Sequence, residues 1–175
     1  MKRTHHCNEL RKEHVGQIVT LNGWIHSNRD LGGVIFIDVR DREGRTQAVF
    51  DPSDLPGALF EVASKLHSES VISVTGKVRT RPDGTKNDKI DTGLVEVLAD
   101  NLEVLNHAEV LPFTIDDPEV AAKVNEELRL KHRYLDLRRP EMIHNMRLRS
   151  KVATATRVFM EEQGFLENFH SLSHI

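Results

Sequence analysis

Several side chains in the first hundred residues have the chemistry that binding a single-stranded nucleic acid requires. Phe36 is an aromatic ring among charged neighbours, and such a ring can stack on an unpaired base. Gln47 and Glu96 carry the amide and carboxylate groups that hydrogen-bond to base edges. Cations suited to phosphates are Arg29, Arg79 and Arg81. The competing interpretation is that Phe36 is buried beneath a helix, while Gln47 and Glu96 are ordinary surface residues.

The period of the apolar residues predicts which of these side chains share a face. Successive side chains of a strand point to opposite faces, so an interior position for Ile35 and Ile37 leaves Phe36 and Asp38 outside. The same rule places four residues on one face of the next strand: Arg45, Gln47, Val49 and Asp51. Arg29 is expected in the loop of the first hairpin, and Arg79 and Arg81 at the end of the fourth strand.

The elements that must position these residues are short strands with one helix among them. Strands are predicted over residues 17–27, 33–41, 45–51, 70–79 and 93–105. A helix is predicted over 56–68, because its apolar residues have helical spacing and Pro56 suits a first turn. This order predicts a mainly β fold, a five-stranded OB-fold barrel with a helix between strands 3 and 4. The alternative is a generic small β-barrel with an inserted helix.

The remainder of the chain is predicted to be helical. Residues 106–140 are typical of a connector, with a helical segment near 119–133. A longer helix is predicted from Glu141 to Gly164, since glycine commonly ends a helix. Its apolar stripe consists of Leu148, Val152, Ala155 and Phe159.

Composition and motifs exclude several classes of protein. Hydrophobic residues make up 38% and charged residues 29%, which is typical of a folded globular protein. No apolar run approaches the ~20 residues that span a bilayer, and no secretory signal is recognisable, so we expect a cytoplasmic protein without membrane contact. GxxxxGK[ST], G-x-S-x-G and HExxH motifs are absent, so no catalytic residues are predicted.

Two clusters could suggest metal chemistry. His5, His6 and Cys7 lack the second ligand pair that a zinc site usually needs. His170 and His174 are four residues apart, as ligands on a helix would be, but they lack a glutamate partner and lie in an irregular tail. We therefore predict no metal site and a solvated N-terminal segment. A metal-dependent nuclease is a rival hypothesis, based on Asp38, Asp41 and Asp51, although carboxylates on adjacent strands are commoner as hairpin ends.

Charge is distributed unevenly in the second half of the chain. The net charge is −3, but residues 106–127 hold six acids and one lysine, whereas 128–160 hold nine Lys or Arg and two acids. This asymmetry predicts either contact with a polyanion or helices solvated by arginine.

Three segments resemble bacterial aspartyl-tRNA synthetases. They are GWIHSNRDLGGVIFIDVRDREGRTQAVFDP (23–52), TGLVEVLA (92–99) and RLKHRYLDLRRPEM (129–142), and the resemblance extends over about residues 1–167. It implies an OB-fold anticodon-binding domain at 1–105, a hinge at 106–140 and the start of the class II catalytic domain, its motif 1 helix, at 141–167. Residues 168–175 do not resemble the family.

The resemblance also implies roles for the residues singled out above. Phe36 matches the aromatic that stacks on the central anticodon base, and Gln47 and Glu96 match residues that read anticodon base edges. Arg29 matches a loop arginine near the same bases, and Arg79 and Arg81 match a basic pair beside them. The implied partner is the anticodon stem-loop of tRNA-Asp.

Several departures from the family pattern limit what the resemblance implies. The loop that usually carries consecutive arginines has Ser27 and Asn28 before Arg29, which should weaken phosphate attraction. Leu31 resembles the form restricted to the aspartate tRNA. The full-length family is a homodimer that uses ATP and Mg, but its ATP and aspartate motifs lie outside this sequence. We therefore expect no cofactor and no aminoacylation by this chain alone. The alternatives are a fragment of an active ligase or a non-functional truncation product.

Overall fold

The structure is a computed structural model and describes residues 2–115 and 118–168. The chain divides into two compact units, the first ending at Val110 and the second beginning at Leu111. Residues 169–175, which include His170, His174 and most of the segment that does not resemble the family, lie outside the described part.

The first unit is a closed five-stranded barrel. Its strands are β1 (Ile18–Leu31), β2 (Val34–Arg40), β3 (Arg45–Phe50), β4 (Val71–Thr80) and β5 (Val95–Asn106). They are hydrogen-bonded in the order β1-β2-β3-β5-β4, and every pairing is antiparallel except that of β3 with β5. Helix α1 (Gly57–Ser64) lies between β3 and β4 in the chain. The predicted OB-fold barrel is confirmed.

Alternation along the strands builds the barrel core. Ile35, Ile37 and Val39 are fully buried, and the residues between them on β2 are half-buried, as predicted. Burying an aliphatic side chain of this size contributes about 1.5–3 kcal/mol, so the register of β2 is strongly specified. Gly76 permits the tightest strand approach, because a Cβ there would lie 2.1 Å from the Leu98 carbonyl oxygen on β5.

A β-bulge in β1 changes the predicted alternation. Ile25 pairs with Val39 and Ser27 with Asp38, so His26 is the extra residue. The strand continues to Leu31, and Arg29 pairs with Phe36. Our placement of Arg29 in a hairpin loop was wrong, because Arg29 lies within the strand. The bulge shifts the side-chain alternation, so that Arg29 lies on the outer face beside Phe36.

The N-terminal segment is packed, so the expectation that it is solvated was wrong. Cys7 and Leu10 are completely buried in the barrel core. The Asp41 carboxylate accepts hydrogen bonds from the Cys7 N–H at 3.0 Å and lies 2.8 Å from His6 Nδ1. Burial raises the pKa of the Cys7 thiol far above its ordinary value.

Helix α1 ends earlier than predicted. We expected it to continue to residue 68, but it ends at Ser64. The Asn28 side-chain amide donates to the carbonyls of Ala63 at 3.0 Å and Leu66 at 2.9 Å. These bonds satisfy carbonyls at the end of the helix, so Asn28 has a structural role here.

The second unit consists of helices. These are α2 (Pro118–Ala122), α3 (Glu126–Lys131), α4 (Arg133–Asp136) and α5 (Pro140–Glu162). The single helical segment predicted near 119–133 is therefore three short helices, whereas the long helix is confirmed. Gly164 has a φ of 82° and its N–H bonds to Glu161 O, while the Phe165 N–H bonds to Met160 O. This pattern is a Schellman motif, and it ends α5 at the predicted glycine.

The core of the second unit is small. Phe113, Ile115 and Leu135 are buried together. Helix α5 has no buried residue, and its predicted apolar stripe is exposed, including Leu148, Val152 and Phe159.

One buried carboxylate in the second unit lies close to three of its arginines. Asp136 is fully buried and pairs with Arg133 and with Arg139, whose Nη1 lies at 3.1 Å. Arg129 approaches the same carboxylate at 4.0 Å. Neither interpretation of the charge asymmetry anticipated this cluster. Within the described residues, no helix is both long and apolar enough to cross a membrane.

Candidate nucleic-acid interface

A row of polar side chains crosses all five strands on the outer face of the barrel. Strand pairing places Ser27 opposite Asp38, Asp38 opposite Gln47, and Arg79 opposite Glu96. The parallel pairing of Ala48 with Val97 continues the row from Gln47 on β3 to Glu96 on β5. We call these five residues, Ser27, Asp38, Gln47, Glu96 and Arg79, the polar row.

Hydrogen bonds connect most of the polar row. Ser27 Oγ donates to Asp38 at 2.9 Å, and Gln47 Nε2 donates to Glu96 at 2.8 Å. Arg29 bridges the gap between these pairs, with Nη2 at 3.4 Å from Asp38 Oδ2 and 3.3 Å from Gln47 Oε1. The orientation of the Gln47 amide is therefore fixed by partners on both of its sides.

Glu96 is the buried anchor of the polar row. It is 1% exposed, and it accepts from Gln47 with one oxygen and from Arg79 Nε, at 2.8 Å, with the other. Gln47 is also buried, at 7% exposure. The interpretation of Gln47 and Glu96 as ordinary surface residues was therefore wrong. Both carboxylate oxygens of Glu96 are occupied, so its burial favours a positioning role over direct contact with a base.

Phe36 lies on the same outer face as the polar row. It pairs with Arg29 on β1 and with Val49 on β3, and its side chain is half-buried. The barrel core includes Ala63 from α1 but not Phe36. The structure therefore gives no support to the alternative in which Phe36 is buried beneath the helix.

Arg81 occupies a different environment from the other cations. It is 8% exposed, and its guanidinium donates to the Val95 carbonyl at 3.2 Å and the Thr85 carbonyl at 3.5 Å. Burial lowers the pKa of Arg81, although the negative charges of Glu96 and Asp38 oppose this effect. Arg81 therefore contributes a buried positive charge that interacts with Glu96 and Asp38, while Arg29 and Arg79 present their guanidinium groups nearer to solvent, at 48% and 40% side-chain exposure.

The structure adds residues to this face that the sequence did not single out as binding residues. Asp38 joins Ser27 to Arg29, and Ser27 reaches the face only because of the bulge at His26. Arg40 and Arg45 lie beyond the polar row on the same face, directly opposite one another. Strand alternation had placed Asp38 outside and Arg45 on the same face as Gln47, but it gave no signal for the bulge.

The carboxylates of the nuclease hypothesis serve separate structural roles. Asp38 bonds to Ser27, Asp41 accepts from the N–H groups of Glu43 and Gly44, and Asp51 accepts from Ser53. Within residues 2–115 and 118–168, no group of three His, Cys, Asp or Glu residues is placed to hold a metal ion.

Comparison with known protein families identifies both units. Residues 19–105 match the family described as OB-fold nucleic acid binding domain, in its tRNA anticodon type. Residues 125–169 match the family described as tRNA synthetases class II (D, K and N). The resemblance seen in the sequence is thereby confirmed.

Individual relatives agree with this result. The aspartate–tRNA(Asp/Asn) ligase of Lachnoclostridium phytofermentans is 50% identical over 167 residues, which is 95% of this chain. The chain spans only 27% of that relative's length.

Two solved structures have a similar fold. The asparaginyl-tRNA synthetase of Pyrococcus horikoshii, complexed with asparaginyl-adenylate, superposes with a TM-score of 0.82 and 30% identity, over 98% of this chain and 37% of that one. The aspartyl tRNA synthetase of Entamoeba histolytica gives a TM-score of 0.85 at 23% identity, over 97% of this chain and 39% of that one, and shows the fold alone. The chain therefore carries an OB-fold anticodon-binding domain followed by a segment of a class II tRNA synthetase domain.

Proposed function

We propose that the barrel binds the anticodon loop of an aspartate tRNA, with its unpaired bases on the outer face of β1, β2 and β3. The observation that carries this proposal is the polar row beside the half-exposed ring of Phe36. An aromatic platform next to fixed hydrogen-bonding groups and arginines is the combination by which single-stranded RNA is read on OB-folds.

Phe36 supplies the stacking surface in this proposal. The central anticodon base stacks on its ring, and Gln47 meets the edge of a neighbouring base. Arg29 must release Gln47 Oε1 for that contact. Its bonds of 3.3 to 3.5 Å to Gln47 and Asp38 are long for charge-assisted hydrogen bonds, which are typically about 2.7–2.9 Å. Arg29 can therefore exchange them for a phosphate at little cost.

Glu96 and Arg79 act together beneath and beside the bases. Glu96 holds Gln47 in one orientation, so the amide does not have to be ordered when RNA binds. Arg79 is held by the same carboxylate and is 40% exposed, so its remaining N–H groups are available to the RNA backbone. Arg81 adds a buried positive charge that favours an anionic strand at this face.

The choice between aspartate and asparagine tRNA is a finer question. The Lachnoclostridium relative is named a ligase for both tRNAs, whereas Leu31 resembles the form restricted to aspartate. Leu31 is 61% exposed at the end of β1, where a loop base could contact it. The two anticodons share their first two bases and differ in the third. Binding of the chain to the two stem-loops, measured side by side, distinguishes the alternatives.

A binding assay with separate tRNA pieces tests the proposal. The full chain is titrated with the anticodon stem-loop RNA of aspartate tRNA and, as the matched control, with the acceptor-stem hairpin of the same tRNA. We expect the anticodon stem-loop to bind more tightly and the acceptor hairpin to bind only through non-specific charge. Equal affinity for both RNAs, or no binding to either, would contradict the proposal.

A second candidate function is favoured by the match of residues 125–169 to the synthetase family. In this proposal the chain is part of a cytoplasmic, ATP-dependent aspartate–tRNA ligase. The resemblance to the full-length family implies that this ligase is a homodimer. The described residues offer no cluster that fits Mg²⁺, so we propose that ATP and Mg²⁺ are not bound by this chain. Aspartyl-adenylate formation by the chain alone would contradict the proposal that it binds no ATP, and sedimentation at several concentrations tests the dimer.

A further inference from the structure

A second set of donors lies on the same outer face, beyond the polar row. Arg40 on β2 is directly opposite Arg45 on β3, and the His26 ring lies against both guanidinium groups. Arg45 Nη1 is 2.6 Å from His26 Nε2, and Arg40 Nη1 is 3.4 Å from His26 Nδ1. Three nitrogen-bearing side chains are therefore brought together where two neighbouring strands end.

This arrangement has an excess of donors and of positive charge. A neutral imidazole has one N–H and one acceptor nitrogen, so both guanidinium contacts cannot be hydrogen bonds at once. Like charges directly opposite on paired strands are destabilising. Glu69 compensates Arg40 at 2.7 Å. Arg45 has no carboxylate within ion-pair distance among the described residues, so its charge is left for another partner.

The backbone beneath the cluster is held in an unusual conformation. Glu69 has a φ of 69°, which is uncommon for a residue other than glycine. Its N–H donates to Ile25 O at 2.7 Å, and the Ile25 N–H donates to Ser70 O at 2.9 Å. These bonds clamp β1 immediately before the bulge at His26. Strain of this kind persists where the surrounding structure maintains it, often at binding sites.

We propose that His26, Arg40 and Arg45 form a phosphodiester-binding site for the same RNA strand whose base stacks on Phe36. The inference rests on the proposed function. Arg45 and Gln47 are two residues apart on one face of β3, a distance of about 7 Å along the strand. A phosphate beside the base that Gln47 meets can therefore reach the cluster. It would supply a negatively charged partner for Arg45, and it would separate the like charges of Arg40 and Arg45.

The test combines a variant with chemically modified RNA. Arg45→Ala is compared with the wild-type chain for binding to the anticodon stem-loop between 50 and about 200 mM salt, the range in which counterion release is measured. We expect the variant to bind several-fold more weakly with every anticodon base tested, and its salt slope to fall by about 0.7 for one lost single-strand phosphate contact. Arg42→Ala is the matched control, because Arg42 is a 71% exposed arginine in the adjacent turn, paired with Glu43. Its slope and affinity should stay at the wild-type values.

Methylphosphonate substitution of single loop phosphates locates the contact without relying on a variant's folding. One substituted position should weaken binding to the wild-type chain and have no further effect on Arg45→Ala. An unchanged salt slope in a folded Arg45→Ala chain, or equal sensitivity of both chains at every position, would overturn the inference while leaving anticodon binding intact. A change in base preference in place of the slope would also overturn it. A wild-type chain that does not bind the stem-loop would remove the proposed function and this inference together.

Discussion

Each of the two units contains a buried carboxylate that organises arginines, but their surroundings differ. In the barrel, Glu96 holds Gln47 and Arg79 on a sheet whose other face is a continuous apolar core. In the second unit, Asp136 holds Arg133 and Arg139 above a core of few side chains. We propose that this pairing serves RNA recognition in the barrel, where a rigid sheet presents it beside an aromatic ring. In the second unit, where the core is small, we expect it to hold the short helices together.

The largest effect is expected from removing the carboxylate of the second unit. Asp136→Asn leaves Arg139, which is 7% exposed, without its closest negative partner. Breaking a buried pair typically destabilises by about 3–5 kcal/mol, and the small core cannot compensate for this. We expect the helices of the second unit to unfold first, while the barrel stays folded.

Two spectroscopic signals separate the units in that experiment. The chain has one tryptophan, Trp24, which lies in the barrel, so its fluorescence follows the first unit while helical circular dichroism follows mainly the second. Glu141→Gln is the control, because Glu141 is a more exposed partner of Arg139. If Asp136→Asn left the helical transition unchanged, the cohesive role of Asp136 would be wrong.

The barrel should respond most to a change at its tightest strand contact. In Gly76→Ala the new Cβ would lie 2.1 Å from the Leu98 carbonyl oxygen, so β4 and β5 must separate. We expect a loss of about 2–4 kcal/mol in urea unfolding followed by Trp24 fluorescence. Gly57→Ala, where a Cβ meets nothing within 4 Å, should be neutral or slightly stabilising. Equal behaviour of the two variants would contradict the close packing of β4 on β5.

An intermediate effect is expected at the polar row. Glu96→Gln keeps the shape of the side chain but removes its charge, so Arg79 loses its charged partner and Gln47 its fixed acceptor. Because Arg79 is 40% exposed, we expect a stability loss of only about 1–2 kcal/mol. The affinity of Glu96→Gln for the anticodon stem-loop should fall further below the wild-type value than the affinity of Glu103→Gln does. Glu103 is an exposed position on the same strand and serves as the control. Unchanged RNA affinity in a folded Glu96→Gln chain would exclude the positioning role.

The smallest effect is the acid sensitivity that Asp41 gives the barrel. Burial raises the pKa of Asp41, but hydrogen bonds from the Cys7 and Glu43 N–H groups, from His6 and from the Gly44 N–H hold it below its ordinary value. A carboxyl with a lowered folded pKa stabilises the protein above its unfolded pKa of about 4 and loses that contribution as pH falls further. Thermal unfolding between pH 3 and 6 should therefore show a steeper acid loss for the wild-type chain than for Asp41→Asn. Parallel curves would contradict this prediction.

The parts of this structure that the sequence predicted are those set by local periodicity. The alternation of Ile35, Ile37 and Val39 fixed the faces of β2, and Gly164 marked the end of α5. The parts that it missed depend on distant partners. The bulge at His26 is held by backbone bonds from Glu69 and Ser70, which lie far along the chain. No periodicity reports such a bond.

The same reasoning explains the remaining errors. Cys7 lies in the barrel core and its N–H donates to Asp41, a contact between distant residues that no local pattern predicts. The burial of Gln47 and Glu96 likewise arises from each other and from Arg79 across neighbouring strands. Side-chain type and spacing predicted which residues share the face. The hydrogen bonds that orient them could not be predicted, because they join strands that are distant in sequence and meet only in the folded barrel.

The most direct test of the account is a double-mutant cycle between Phe36 and the central anticodon base. Wild-type and Phe36→Ala chains are each titrated with the aspartate stem-loop and with the same RNA carrying an abasic nucleotide at that position, and Phe165→Ala, at an exposed phenylalanine of the second unit, is the control. Stacking on an aromatic ring is worth about 1–3 kcal/mol per base, so the wild-type chain and the control should each lose roughly tenfold or more when the base is removed. Phe36→Ala should bind both RNAs with the same weakened affinity. Equal binding of the two RNAs by the wild-type chain, or discrimination that survives in Phe36→Ala, would contradict anticodon reading at this face.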